Sequence, residues 1–332
     1  MALTLVLLAA SATVIYLACE YFVNGVEWVG DQFGVSKNAT GTVLAAFGTA
    51  LPESVVTFVA VVFGQNVAQK EIGVGAAIGG PLVLATIAYA VVGWVFLMSG
   101  KPAGIPLLSD SARHRLIKDQ KWFMTVFVAK ITLGLVSFAI KPWLGLAFLA
   151  AYALYVRQEL AAEHDMESAG DFERLKIQPN DETPARGWAL LQTGIALIVI
   201  FLASQVFVHQ IEAIGPWLGL PPQLVAVLLS PFATELPETL NAVIWVRQGK
   251  QSLALSNISG AMMIQATVPS ALGVLFTPWQ LQPALVWAAI ITMISIGGIY
   301  LLLQKNALGG KRLALFGLLY GLFAAGLYFV PK

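Results

Sequence analysis

The sequence predicts an all-α membrane protein: ten transmembrane helices in two inverted five-helix repeats, with discontinuous second and seventh helices. Three observations lead there. The chain is too poor in charge for a water-facing fold, it carries ten apolar stretches of spanning length, and a Thr-x-Leu-Pro-Glu pattern occurs twice.

Of 332 residues, 58% are apolar and 11% charged, against about 25% charged in a typical soluble domain, so lipid is the expected main solvent. A net charge of +1 gives no pull toward nucleic acid, and no such partner is expected. The single cysteine, Cys19, excludes an internal disulfide framework and a CxxC site; it reads as a small apolar residue of the first span. The opening residues, MALTLVLLAASATVIYLACEYFV, lack a basic leader and a cleavage site and read as a retained first span.

A bilayer core of about 30 Å needs roughly 20 apolar helical residues. Stretches that meet this are 2–23, 38–63, 71–98, 121–139, 142–158, 188–208, 221–246, 252–276, 282–303 and 311–330. The polar segment ELAAEHDMESAGDFERLKIQPNDETPARG holds about half of the acidic residues and reads as a solvated linker. It divides the chain into a first repeat, 1–158, a linker, 159–187, and a second repeat, 188–332. Fifteen of the nineteen Lys and Arg residues fall in or beside the odd-numbered connections. By the positive-inside rule those connections are cytoplasmic, the 157–187 loop among them, and both termini are extracytoplasmic.

AFGTALPESV, from Ala46, recurs as PFATELPETL, from Pro231. Thr49, Leu51, Pro52 and Glu53 thereby pair with Thr234, Leu236, Pro237 and Glu238 at an offset of 185. Downstream, Gly79, Ala85 and Thr86 pair with Gly260, Ala266 and Thr267 at an offset of 181, which predicts a shorter turn in the second half. Five spans per half put the second repeat upside down relative to the first. Inverted repeats with matched, interrupted helices are the best sequence pointer to a transporter's substrate site.

The chemistry at these breaks suits a cation. Pro52 removes the helical partner of the Gly48 carbonyl, and Pro237 that of Ala233. Freed carbonyls in hydrocarbon cost several kcal/mol unless they line a cavity or bind a ligand. Glu53 and Glu238 each follow the proline, and a charge at mid-bilayer costs about 3 kcal/mol or more. Carboxylate and carbonyl oxygens together form the hard ligand set that Ca²⁺ prefers.

At these residues the chain resembles the cation/calcium exchanger superfamily, whose two repeats carry a G-T-S-L-P-E core; the copies here read GTALPE and ATELPE. The approach FVNGVEWVGDQFGVSKNATGTVLAAFGT is similar too. The resemblance covers 24–95 and 209–275 best. It implies exchange of Ca²⁺ for Na⁺ or H⁺, with Glu53 and Glu238 as central carboxylates and the carbonyls of Thr49 and Thr234 completing the shell. The departures matter as much. Sodium-coupled members carry Ser after the Thr; here those positions are Ala50 and Glu235. Where they carry G-S-N with a further polar residue one turn on, this chain has Gly79-Gly80-Pro81 with Leu84, and Gly260-Ala261-Met262 with Gln265. Most side-chain oxygens for several Na⁺ ions are therefore missing.

Glu235 and Glu238, three apart, face nearly the same way on a helix. Such a pair could bind a divalent ion when ionised and hold a proton once the ion leaves; residual Na⁺ coupling is the competing reading. Gln265 is expected to line the site from span eight, more deeply than Asn257. Lys130, in the middle of span four, reads as snorkelling to the interface, with pairing to a buried glutamate as the alternative. His209 reads as interfacial, and Glu20, placed near the outer end of span one, as a headgroup-level carboxylate. A cation channel is the competing function. No HExxH, paired-Asp or Ser/Lys pattern suggests an intramembrane enzyme, and no P-loop a nucleotide-driven pump. No resident cofactor is expected. The partners are metal cations and the lipid bilayer; which divalent ion is carried stays open among Ca²⁺, Mg²⁺ and Mn²⁺.

Overall fold

A computed structural model describes residues 2–32, 50–99, 108–161, 173–181 and 184–330. Among them the chain is helical, without strands. The helices are α1 (Ala2–Gln32), α2 (Leu51–Val62), α3 (Val67–Met98), α4 (Asp110–Leu135), α5 (Gly145–Ala161), α6 (Arg186–Leu218), α7 (Pro222–Thr234), α8 (Leu236–Arg247), α9 (Gln251–Phe276), α10 (Pro283–Gln304), α11 (Gly310–Ala314) and α12 (Gly317–Gly326). Five of the described helices, α1, α3, α6, α9 and α10, are long and apolar enough to cross a membrane. Their outer faces carry exposed Leu3, Val6, Trp94, Ile198, Leu202, Ile294 and Leu301, while buried polar side chains gather inside. That inversion of the soluble pattern is what a lipid solvent requires.

Helices α3 and α9 form the centre. Helix α3 packs on α7 and α2, and α9 packs on α2, α4, α5 and α8, while α1 and α6 lie along one another at the side. Close approach of α3 to α7 depends on Gly75 and Gly79, one helical turn apart. A methyl on Gly79 would stand 2.8 Å from Pro231 Cγ and 2.9 Å from the Val227 carbonyl oxygen, and one on Gly75 2.9 Å from Ala226 Cβ. This is the small-residue packing that brings membrane helices into backbone contact.

Helix α3 is irregular twice. Pro81 lies inside it, and Leu84–Ala88 form a π-turn. There the Tyr89 N–H turns to Leu84 and Thr86, and Ser295 Oγ of α10 donates to the Ala85 carbonyl at 2.5 Å. A π-turn inside an α-helix is uncommon and often marks a functional region.

Several expected boundaries move. Helix α4 starts at Asp110 rather than 121, because Ser109 caps it by accepting from Ala112 N–H at 3.3 Å. Helix α6 runs ten residues past the expected 208, to Leu218, and stops where Gly219 takes a positive φ of 64°, the left-handed conformation glycine adopts without strain. The shorter turn expected after α8 accounts for one residue only: residues 63–66 join α2 to α3 and residues 248–250 join α8 to α9. The rest of the offset change falls within the helix. Residues 38–49 of the second expected span lie outside the described residues.

The linker's described part, 173–181, docks on α1 and α6. Asn24 Nδ2 donates to the Glu173 carbonyl at 3.2 Å, Lys176 N–H to Asn24 Oδ1 at 2.9 Å, and Ile177 N–H to Gln192 Oε1 at 2.8 Å. Lys176 Nζ pairs with Glu20 at 3.1 Å. Glu20 therefore sits at the linker end of α1, so an outer-end Glu20 and a cytoplasmic linker cannot both hold. His209 is exposed and lies 3.8 Å from Glu212.

Candidate functional site

The break between α7 and α8 is a single residue, Glu235, with φ −97° and ψ −3°. Its repeat counterpart Ala50, ahead of α2, has φ −83° and ψ 0°. Both lie in the sparsely populated bridge region where many active-site residues are found. The match continues in the hydrogen bonds. The Ala50 carbonyl accepts from Ser54 N–H at 3.2 Å and Ser54 Oγ at 3.0 Å; the Glu235 carbonyl accepts from Thr239 N–H at 3.1 Å and Thr239 Oγ1 at 2.9 Å. Each break is thus fixed by a hydroxyl one turn on.

Glu53 and Glu238 sit in the first turns of α2 and α8, both fully buried. Thr234 and Glu235, at 2% and 1% exposure, and Gln265, at 0%, complete the buried set. Thr234 Oγ1 is the junction. It lies 2.8 Å from Glu53 Oε2, 2.9 Å from Glu235 Oε1 and 3.2 Å from the Ser230 carbonyl oxygen. A hydroxyl has one proton to donate, so it serves only one of three acceptors at a time. Gln265 Nε2 donates to Glu235 Oε2 at 2.8 Å, which fixes that carboxylate from α9. Glu53 and Glu235 thus meet at the Thr234 hydroxyl.

Sequence reasoning cast Thr234 as a carbonyl donor; in the structure its hydroxyl is what links the repeats. Thr49 lies outside the described residues. Asn257 is buried at 9% exposure, with its Nδ2 unpartnered among the described residues. Further buried oxygens without a hydrogen-bond partner among those residues are Glu53 Oε1, Thr57 Oγ1, Ser230 Oγ and Gln265 Oε1. Glu53 and Thr57 share a face of α2, as do Ser230 and Thr234 of α7. No three His, Cys, Asp or Glu side chains converge as a metal cluster among the described residues. The acidic groups meet as a pair, surrounded by neutral oxygens.

Lys130 does not snorkel. It is fully buried on α4, and its Nζ donates to the Ala77 carbonyl of α3 at 2.9 Å. The reason lies on the neighbouring helix: Ala77 stands four residues before Pro81, which has no N–H to offer, so the carbonyl is left open to an outside donor. The ammonium also lies 4.7 Å from the centre of the Phe127 ring.

A family model described as sodium/calcium exchanger protein matches residues 3–158 and 188–330. The inner membrane protein YrbG of Escherichia coli (strain K12) is 23% identical over 283 residues, 85% of this chain and 83% of that protein. Among solved structures, the H⁺/Ca²⁺ exchanger CAX aligns with a TM-score of 0.76 at 17% identity, over 99% of this chain and 82% of that one. The sodium-calcium exchanger NCX_Mj, soaked with Na⁺ and Sr²⁺, aligns with a TM-score of 0.60 at 19% identity, over 100% of both chains. At these identities the solved structures establish the fold. With the apolar helices, the comparisons identify a multi-pass membrane protein.

Proposed function

Because this chain belongs to the sodium/calcium exchanger protein family, we propose that it is a secondary active antiporter exchanging a divalent cation, Ca²⁺ foremost, for protons by alternating access. The observation that carries this reading is the Thr234 hydroxyl set between two buried carboxylates of different repeats, Glu53 and Glu235. One O–H cannot satisfy both. Two carboxylates removed from water are tolerable together only with positive charge between them, a bound cation or protons. Glu53 and Glu235, which meet at Thr234, supply charge for the divalent ion, Glu238 in the first turn of α8 is the further proposed carboxylate, and Gln265, Thr57 and Ser230 supply neutral oxygens. The Thr234 carbonyl is the further oxygen proposed for the shell.

Ten spans in two inverted repeats fit the packing. Exchanging the repeats turns the contact of α9 with α2 into that of α3 with α8. It likewise turns the contact of α9 with α5 into that of α3 with α11, and both pairs are present. The linker and the other odd connections then face the cytoplasm, with both termini outside.

Protons are favoured over Na⁺ because Ala50 and Gly79-Gly80-Pro81 offer no side-chain oxygens, whereas Glu235 adds a carboxylate. The test is Ca²⁺ flux into vesicles of purified protein under an imposed pH or Na⁺ gradient. A pH gradient should drive accumulation and a Na⁺ gradient should not. Accumulation driven by Na⁺ alone would overturn the proton reading, and downhill flux without exchange would make the protein a channel.

A further inference from the structure

We propose that Gln120 of α4 is a positioning residue that closes one side of the ion path, and that the π-turn of α3 is the pivot on which this closure opens. The inference rests on the antiporter reading above. Gln120 is buried at 1% exposure, and its Nε2 donates to the Tyr89 hydroxyl of α3 at 2.9 Å and to Ser259 Oγ of α9 at 3.2 Å. One amide thus ties α4 to both central helices, and Tyr89 and Ser259 are as deeply buried. Three helices agree on where the junction lies. Along α3 it is nine residues past Gly80, which abuts Gln265 and Glu235. Along α9 it is six residues before Gln265, and along α4 ten residues before Lys130, which meets Ala77. At 1.5 Å per residue these separations are about 9–15 Å. All three run toward the end of the molecule where α3 stops and α4 and α9 begin, the side proposed above as cytoplasmic.

A transporter that releases its ion on that side must part these helices, and the junction is built to part. An apolar layer would be closed by burial alone. Here the layer holds an amide whose Nε2 is satisfied and whose Oε1 is buried with no hydrogen-bond partner among the described residues. A buried acceptor left unpaired costs free energy that water returns on opening, so the two hydrogen bonds close the layer against a tendency toward hydration. Such near balance is what a two-state element needs. The backbone marks the moving part. Leu84–Ala88 form the π-turn directly ahead of Tyr89; it inserts one residue and turns the rest of α3 by about 100° relative to its Gly79–Gly80 part. Beyond it, Tyr89–Met98 packs on α11, where Gly93 stands against the Gly310 and Ala314 backbones. Bending at the π-turn carries Tyr89 off Gln120 while Gly79 and Gly80 stay against Pro231 and Gln265.

The test is side-specific labelling of a cysteine placed behind the junction. Met262, buried at 1% exposure, lies one turn from Gln265 on nearly the same face of α9, and Met262→Cys in a Cys19→Ala chain gives one thiol there. A charged, membrane-impermeant methanethiosulfonate is applied to right-side-out and to inverted membrane vesicles. Labelling should rise about tenfold when Tyr89→Phe and Ser259→Ala together take both acceptors from Gln120, and in one vesicle type only, the inverted one on the topology above. Adding Gln120→Met to that pair makes the junction wholly apolar, and labelling in the same vesicles should fall several-fold below the starting chain. Should the pair not fold, Gln120→Asn, too short to span both hydroxyls, carries the first expectation. A merely structural junction would lower the melting temperature of the variants and leave labelling unchanged. Equal labelling in all chains, or a rise of the same size in both vesicle types, overturns the closure. Absence of exchange by wild type in a separate ⁴⁵Ca²⁺ flux assay instead sinks the antiporter reading and leaves the labelling result standing.

Discussion

Adjacent glycines of α3 should fail in opposite ways when each is replaced by alanine, and the difference isolates the ion site from the scaffold. A methyl on Gly80 would stand 2.8 Å from Gln265 Oε1, 3.1 Å from Gln265 Cδ and 3.1 Å from Glu235 Oε1. The obstacle is the far end of a flexible side chain, so Gln265 can swing away, but only by giving up its 2.8 Å hydrogen bond to Glu235. A hydrogen bond to a charged group is worth about 1.5–3 kcal/mol, and about 1.4 kcal/mol is tenfold in affinity. Gly80→Ala should therefore weaken divalent binding by about 10- to 150-fold, with a melting temperature lowered no further than that of Gly79→Ala, whose binding should stay near wild type. A methyl on Gly79 instead meets the Pro231 ring at 2.8 Å and the Val227 backbone at 2.9 and 3.0 Å, neither of which can rotate aside. Overpacking of this kind costs about 1–3 kcal/mol, so Gly79→Ala should lower the melting temperature by roughly 3–10 °C, taking a few degrees per kcal/mol. Calorimetric titration with Ca²⁺ and tryptophan-fluorescence melting, run on both purified variants, give the two readouts. If Gly80→Ala melts as low as Gly79→Ala and binds as tightly as wild type, the placement of Gln265 beside Glu235 is wrong.

Glu53→Gln and Glu238→Gln should each abolish transport while eluting as folded protein from a sizing column; transport retained by either variant counts against the proposed cage. Thr234→Val removes the hydroxyl shared by Glu53 and Glu235 and should slow exchange by about tenfold or more. Thr234→Ser should retain exchange, and equal rates in the two would show the hydroxyl to be idle. Asn24→Ala breaks the bonds to Glu173, Arg174 and Lys176. It should therefore speed tryptic cleavage within 173–181 several-fold; an unchanged digestion rate would mean that the docked segment is held by other contacts.

What the sequence made legible is what chemistry within one helix dictates. Pro237 beside Glu238 announces a break, the spacing of Glu235 and Glu238 puts both on it, and a glutamine deep in an apolar span, Gln265, is costly without a polar partner. The structure places Gln265 on Glu235, a contact the pattern within α9 alone does not contain. What stayed hidden depends on neighbours far apart in the chain. Thr234 meets Glu53 across 181 residues, and its hydroxyl rather than its carbonyl makes the link. Lys130 was expected at the interface because a lysine in an apolar helix normally finds its partner in water. Here the partner is a carbonyl opened by a proline 49 residues earlier on another helix, and nothing within α4 reveals it.

The irregular backbone of the two central helices also narrows where an ion can bind. Three interruptions of α3 and α9 each have a protein donor: Lys130 Nζ on the Ala77 carbonyl, Ser295 Oγ on that of Ala85, and Ser270 Oγ on that of Gln265, opened by Pro269. At the breaks, the Ala50 and Glu235 carbonyls each accept two donors, one backbone and one hydroxyl. A carbonyl oxygen has two lone pairs, so neither has capacity left for a cation. The described oxygens left open to an ion are those of side chains, Glu53 Oε1, Thr57 Oγ1, Ser230 Oγ and Gln265 Oε1, which have no hydrogen-bond partner among the described residues. Side-chain oxygens can turn as the ion arrives and leaves, whereas helix carbonyls move only with their helix. On the proposed exchange reading, ions would trade at the side chains while Ser54 and Thr239 hold the breaks. Ser54→Ala and Thr239→Ala should accordingly lower the melting temperature while leaving the proton-to-divalent ratio unchanged, and a changed ratio in either variant would show that the breaks themselves take part in exchange.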